Sequence, residues 1–121
     1  MSNETAMNEM ALIGCALLEA GRVMPMLMEA RVGAEWFGDV KCRTAWRVLR
    51  KLWDEGSAEA TDVLTFADAV KRVKPEKGEE DAAELEIGWV QKLIDDTPTV
   101  AHTEHYLGIV RNQYMVRKGR S

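Results

Sequence analysis

Proline is scarce in this chain, with only Pro25, Pro75 and Pro98 among 121 residues, and no Val/Ile/Thr-rich run alternates cleanly at period two. Little therefore interrupts a helix, nothing asks for a sheet, and helices are the default throughout. The 2 cysteines, Cys15 and Cys42, are too few for a disulfide framework, and both fall on apolar faces, which predicts buried reduced thiols. No apolar run approaches the ~20 residues that a membrane span needs. The opening MSNETAMNEM lacks the basic and apolar regions of a signal peptide, so a cytoplasmic location is expected. Positive charge is in deficit: 16 Lys and Arg face 20 Asp and Glu, a net charge of −4. That balance argues against a strong nucleic-acid binder, because phosphate neutralisation needs clustered cations. A local strip of Lys41, Arg43, Arg47, Arg50 and Lys51 reads first as a solvated helix face and second as a DNA contact.

Catalytic signatures are missing as well. There is no Gly-x-x-x-x-Gly-Lys-Ser/Thr loop to converge backbone amides on phosphate, and no Ser/His/Asp or Cys/His grouping. No enzymatic site and no cofactor is expected. His102 and His105 share a helix face but lack the His-Glu-x-x-His order of a zinc site, so polar first-turn residues are the simpler reading. The acidic run Glu76, Glu79, Glu80, Asp81, Glu84 and Glu86 reads as solvated chain near a helix start. Met24, Met26 and Met28 could form an adaptable binding surface, but a helix spreads consecutive residues around its axis, so at least one should be core and another exposed.

What is present is helical periodicity. A first helix is predicted from about Thr5 to Ala20, with Met7, Met10, Ala11, Gly14, Leu17 and Leu18 in one stripe and Ile13 and Ala16 widening it. Gly21 would supply its left-handed end. A short second helix, Val23 to Ala30, would carry Pro25 in its first turn. A turn holding Trp36 and Phe37 leads to a third helix, about Val40 to Glu55, capped by Asp39 and ended by Gly56. Cys42, Ala45, Trp46, Leu49, Leu52 and Trp53 give it the cleanest stripe in the chain. A fourth helix, capped by Asp62 or Thr65, bears Val63, Phe66, Ala67, Val70 and Val73.

Beyond a polar loop at Pro75 to Asp81, a fifth helix is predicted from Ala82 to Asp95. A sixth would open at Thr97 with Pro98 in its first position. So short a connection implies an antiparallel hairpin. The expected architecture is all-α: a compact four-helix head (1–75) followed by a helical hairpin (76–121), together one domain. Both late helices carry apolar residues over more than one stripe, and the surplus must meet the head or another chain. Another chain is the favoured reading.

Several ordered segments carry a family resemblance. Ala11 to Leu18 resembles a Val-Leu-Gly-Ala-Leu-Leu segment. Phe37, Arg43 and Trp46 keep the pattern of a Phe-Tyr-x-Pro-x-His-Arg-x-Ile-Phe segment, with Gly38, Val40 and Cys42 departing from it. Asp62 to Thr65 matches an Asp-x-x-Thr. Pro98, Thr99, Ala101, Tyr106, Ile109, Val110 and Arg111 match a Pro-Ser-x-Ala-Asn-x-x-x-Tyr-x-x-Ile-Val-Arg run, with His102 at the Asn position. Together these resemble the N-terminal domain of DnaB-type replicative DNA helicases.

The resemblance implies a non-catalytic all-α domain that pairs subunits, builds a hexameric collar above the ATPase ring, and docks the C-terminal domain of primase or a helicase loader. DNA would be met only through the parent helicase. On that reading, Trp89, Val90, Leu93, Ile94, Tyr106, Ile109, Val110 and Tyr114 divide between packing within the hairpin and a homo-oligomeric interface, with Trp89 as an aromatic anchor. Alternatives are a stand-alone helicase- or primase-binding regulator from a phage or mobile element, and the primase C-terminal domain itself, whose fold is similar.

Overall fold

The computed structural model describes residues 3–56, 63–70, 72, 87–97 and 99–119. All of its regular structure is helical, with no strand among the described residues. The centre is α1 (Asn3–Leu18), which α2 (Ala20–Glu29), α3 (Val40–Asp54), α5 (Ile87–Asp95) and α6 (Thr103–Gly119) all touch. A helix surrounded in this way must be apolar on nearly every side. Leu12, Ile13, Cys15, Ala16 and Leu17 are accordingly all buried.

The end of α1 differs from the expectation. The chain breaks at Glu19, with φ −141° and ψ 71°, and Gly21 lies inside α2 rather than closing α1. Breaking there lets α2 turn back and bury Ala20, Val23, Met24 and Leu27. Pro25 consequently falls in the second turn of α2, where it has no amide to offer the carbonyl of the exposed Gly21. The left-handed residue is instead Arg31, at φ 60°. The Val32 amide donates to the Leu27 carbonyl (3.1 Å) and the Arg31 amide to that of Met28 (3.0 Å), a Schellman closure with buried Val32 beneath it.

A 3-10 turn, Ala34–Trp36, carries Trp36 and Phe37 into the core. The third helix follows its predicted pattern closely. Asp39 Oδ2 accepts from the Cys42 amide at 3.1 Å, and Gly56 takes φ 77° after the last turn. Cys42, Ala45, Trp46, Leu49 and Leu52 are buried, and Trp53 partly so. Against α3 lies α4 (Val63–Val70), which buries Phe66 and Ala69. Thr65 sits exposed within α4 and does not cap it; Asp62, Val73 and the predicted start of the fifth helix lie outside the described residues.

The sixth helix opens at Thr103, not at Thr97. Threonine hydroxyls shape the connection instead. Thr97 donates to the Leu93 carbonyl (2.7 Å), finishing α5, and Thr103 donates to the Val100 carbonyl (2.6 Å). The Thr99 hydroxyl accepts from the Ala101 amide at 3.1 Å. Such local bonds compete with helix formation and delay its start.

Both late helices lean on α1, α5 reaching α4 as well and α6 reaching the 3-10 turn. Gly14 makes the approach possible: a Cβ there would strike the Thr97 side chain and sit 3.0 Å from the Leu93 carbonyl. One hydrophobic cluster accordingly joins Val90, Leu93, Val100 and Val110 to the residues of α1 to α4.

Candidate functional site

The polar geometry of this fold is structural, and it fixes which faces remain outside. Glu9 is fully buried; its carboxylate accepts from the amides of Gly38 (2.9 Å) and Asp39 (3.0 Å). Burial pushes its pKa above the ordinary 4.5, against the opposing pull of those two amides and of the Arg117 charge. Arg43 Nη1 donates to the carbonyls of Phe37 (3.1 Å) and Gly38 (3.2 Å), and Arg117 Nη2 to that of Trp36 (2.8 Å). Tyr114 stacks on Trp36 with centroids 5.6 Å apart. These contacts bind the last turns of α6 to the Trp36–Asp39 turn and set the rotation of the helix.

Both thiols are sealed. Burial, then the carboxylates of Asp39 and Glu9, push the Cys42 thiol far up, and burial raises Cys15 despite a hydrogen bond with Thr103. Neither is a nucleophile at neutral pH.

With that rotation, the eight residues expected to divide between packing and a partner interface separate. Val90, Leu93 and Val110 are 1%, 3% and 0% exposed and belong to the chain's own core. In this chain they lie in the one hydrophobic cluster, the packing share of the division expected for the eight. Trp89, Ile94, Tyr106 and Tyr114 are half-buried against that core; Lys41 Nζ lies 6.0 Å from the centre of the Trp89 ring. Ile109 is half-buried and outside the cluster.

The most exposed large apolar residues of α5 and α6 are Ile87, Met115 and Val116, at 49%, 54% and 52%. Val116 lies seven residues beyond Ile109, on the helix line that adjoins the Tyr106–Val110–Tyr114 face and that periodicity already marks. Met115 gives no periodic signal. Glu9 was also missed, although it shares a line with Ile13 and Ala16, and a carboxylate on a buried line needs a partner.

Other candidate surfaces are already engaged. Arg43 turns inward, Arg50 pairs with Asp54 at 3.3 Å, and Lys51 reaches Glu55 at 4.0 Å. The basic strip is thus partly committed to its own fold. Met24 is buried while Met26 and Met28 are half-buried, so no exposed methionine patch forms on α2. His102 and His105 are exposed. Among the described residues no group of His, Cys, Asp and Glu could hold a metal, and no helix is long and apolar enough to cross a membrane.

The family model for the DnaB-like helicase N terminal domain matches residues 2–112. No curated protein and no solved structure matches the chain. The match spans nearly the whole sequence, the matched domain is a non-catalytic part of a helicase, and the all-helical fold agrees with it. The chain belongs to the DnaB-like helicase N-terminal domain family.

Proposed function

We propose that this domain assembles copies of a replicative helicase and docks the C-terminal domain of primase or a helicase loader. The parent's ATPase would lie elsewhere in the protein, the setting is the cytoplasmic primosome, and DNA is met only through that parent. Family membership over residues 2–112 is the observation that carries the reading. It is supported by apolar side chains that the fold leaves outside, Ile109, Met115 and Val116 on α6 and Ile87 on α5.

The division into a head (1–75) and a pairing element (76–121) takes a specific form on this reading. Pairing uses the outward side of α6, because its inward side is held by α1 and the Trp36 turn. A specific interface buries about 1,600 Å² in total. A single helix line supplies only part of that, so pairing of the isolated domain is expected to be weak and concentration-dependent.

Sedimentation equilibrium from low micromolar to near-millimolar concentration tests the first half of the proposal. A rising average mass supports assembly, and a strict monomer throughout counts heavily against it. Titration of the labelled domain with a primase C-terminal domain tests the second half, with saturable binding as the expected result.

A further inference from the structure

The core grips the first half of α6 and only brushes the second. Thr103 and Val110 are buried, whereas every side chain of residues 111–119 is half-buried or exposed. An isolated helix shorter than ~12–15 residues is marginal in water, and this second half falls below that length. Its helical state therefore depends on what it touches.

Two of its contacts end on one residue. Tyr114 stacks on the Trp36 ring with the planes 15° apart, and Lys118 Nζ lies 5.9 Å from the centre of the Tyr114 ring. One turn further on, Arg117 Nη2 donates to the Trp36 carbonyl at 2.8 Å. Trp36 itself is firmly seated. Arg43 holds the carbonyls of Phe37 and Gly38, and Glu9 holds the amides of Gly38 and Asp39. The turn is thus a fixed post tied to α1 and α3, and the helix end is the part that can leave it.

We infer that residues 111–119 form a strap that unlatches from Trp36 as one unit while the rest of the domain stays folded. Release of Tyr114 and Arg117 removes the contacts that sustain so short a helix, so the strap unravels back to the anchor at Val110. Unlatching also bares the face of the Trp36 ring that Tyr114 covers. A partner that binds this ring would hold the strap open, by its preference for the open form. The change takes place within one chain and depends neither on assembly nor on a docked protein.

Native-state hydrogen exchange on the intact chain, at low concentration and rising sub-denaturing urea, tests it. Amides of residues 114–118 should share one opening, faster than that of residues 12–17 and almost insensitive to urea. Arg117→Leu should speed that shared exchange about tenfold or more, and Tyr114→Leu about fivefold. Asn112→Ala, which replaces an exposed residue with a better helix former, should slow it about threefold. Rates that climb residue by residue toward Gly119 would mean simple fraying and overturn the strap. So would a urea dependence equal to that of α1, since the segment would then open only with the whole fold. Exchange indifferent to Arg117→Leu and Tyr114→Leu would remove Trp36 as the latch.

Discussion

α1 and α6 have nearly the same length, 16 and 17 residues, but occupy opposite situations in the molecule. Other helices surround α1, and from Leu12 to Leu17 every residue is buried. In α6 only Thr103 and Val110 are buried, and its last five residues are all exposed. A helix of the first kind holds the fold together. One of the second kind is held by a few named contacts and keeps a face free. Where a side chain sits thus matters more than its type, a contrast that measurement can break or sharpen.

The largest difference should come from apolar truncation. Leu12→Ala in α1 removes a fully buried side chain and should cost about 3–5 kcal/mol. Val116→Ala in α6 should change stability by no more than about 0.5 kcal/mol. Urea titrations of both variants check the pair, and equal losses would erase the distinction.

Next in size is Glu9→Ala, which strands the half-buried amides of Gly38 and Asp39 and should cost about 2–4 kcal/mol. Because the same turn anchors Tyr114 and Arg117, hydrogen exchange in the last turns of α6 should quicken more than in α2. Gly14→Ala should cost about 1–3 kcal/mol, since the methyl group meets both Thr97 and the Leu93 carbonyl. Thermal melts would report it. A neutral result would mean that α5 sits farther from α1. Asp39→Ala removes the cap of α3 and should cost about 1 kcal/mol.

The smallest effect is a pH dependence. Burial holds the folded-state pKa of Glu9 above 4.5, so between that value and the raised one the folded chain binds more protons than the unfolded chain. Relative to Glu9→Gln, which cannot titrate, the natural protein should be most favoured below about pH 4.5 and lose that advantage as pH rises through the raised pKa. Paired denaturation curves across this range give the sign directly, and a difference that grows with pH would contradict it.

The same contrast explains what the sequence made legible. The third helix was readable because its signals are local: Asp39 before it, Gly56 after it, and one stripe between. The resemblance to the helicase domain was readable because its segments keep their order. The start of α6 was not, because Thr97, Thr99 and Thr103 turn hydroxyls onto nearby backbone where a Thr-Pro pair invites a helix. Nor was the fate of Val90, Leu93 and Val110. Periodicity says that a helix has apolar faces; it does not say whether α1 or another molecule covers them. Glu9 escaped notice because its partners, two backbone amides about thirty residues away, have no sequence signature.

The sealed thiols of Cys15 and Cys42 have a practical consequence. Both are fully enclosed and held protonated, so a thiol-reactive dye offered to the native domain should find nothing to modify. A cysteine introduced at an outward position of α6 would then be the single reactive site. Fluorophores attached there could report whether copies of the domain associate, without first stripping the natural sulfhydryls from the chain.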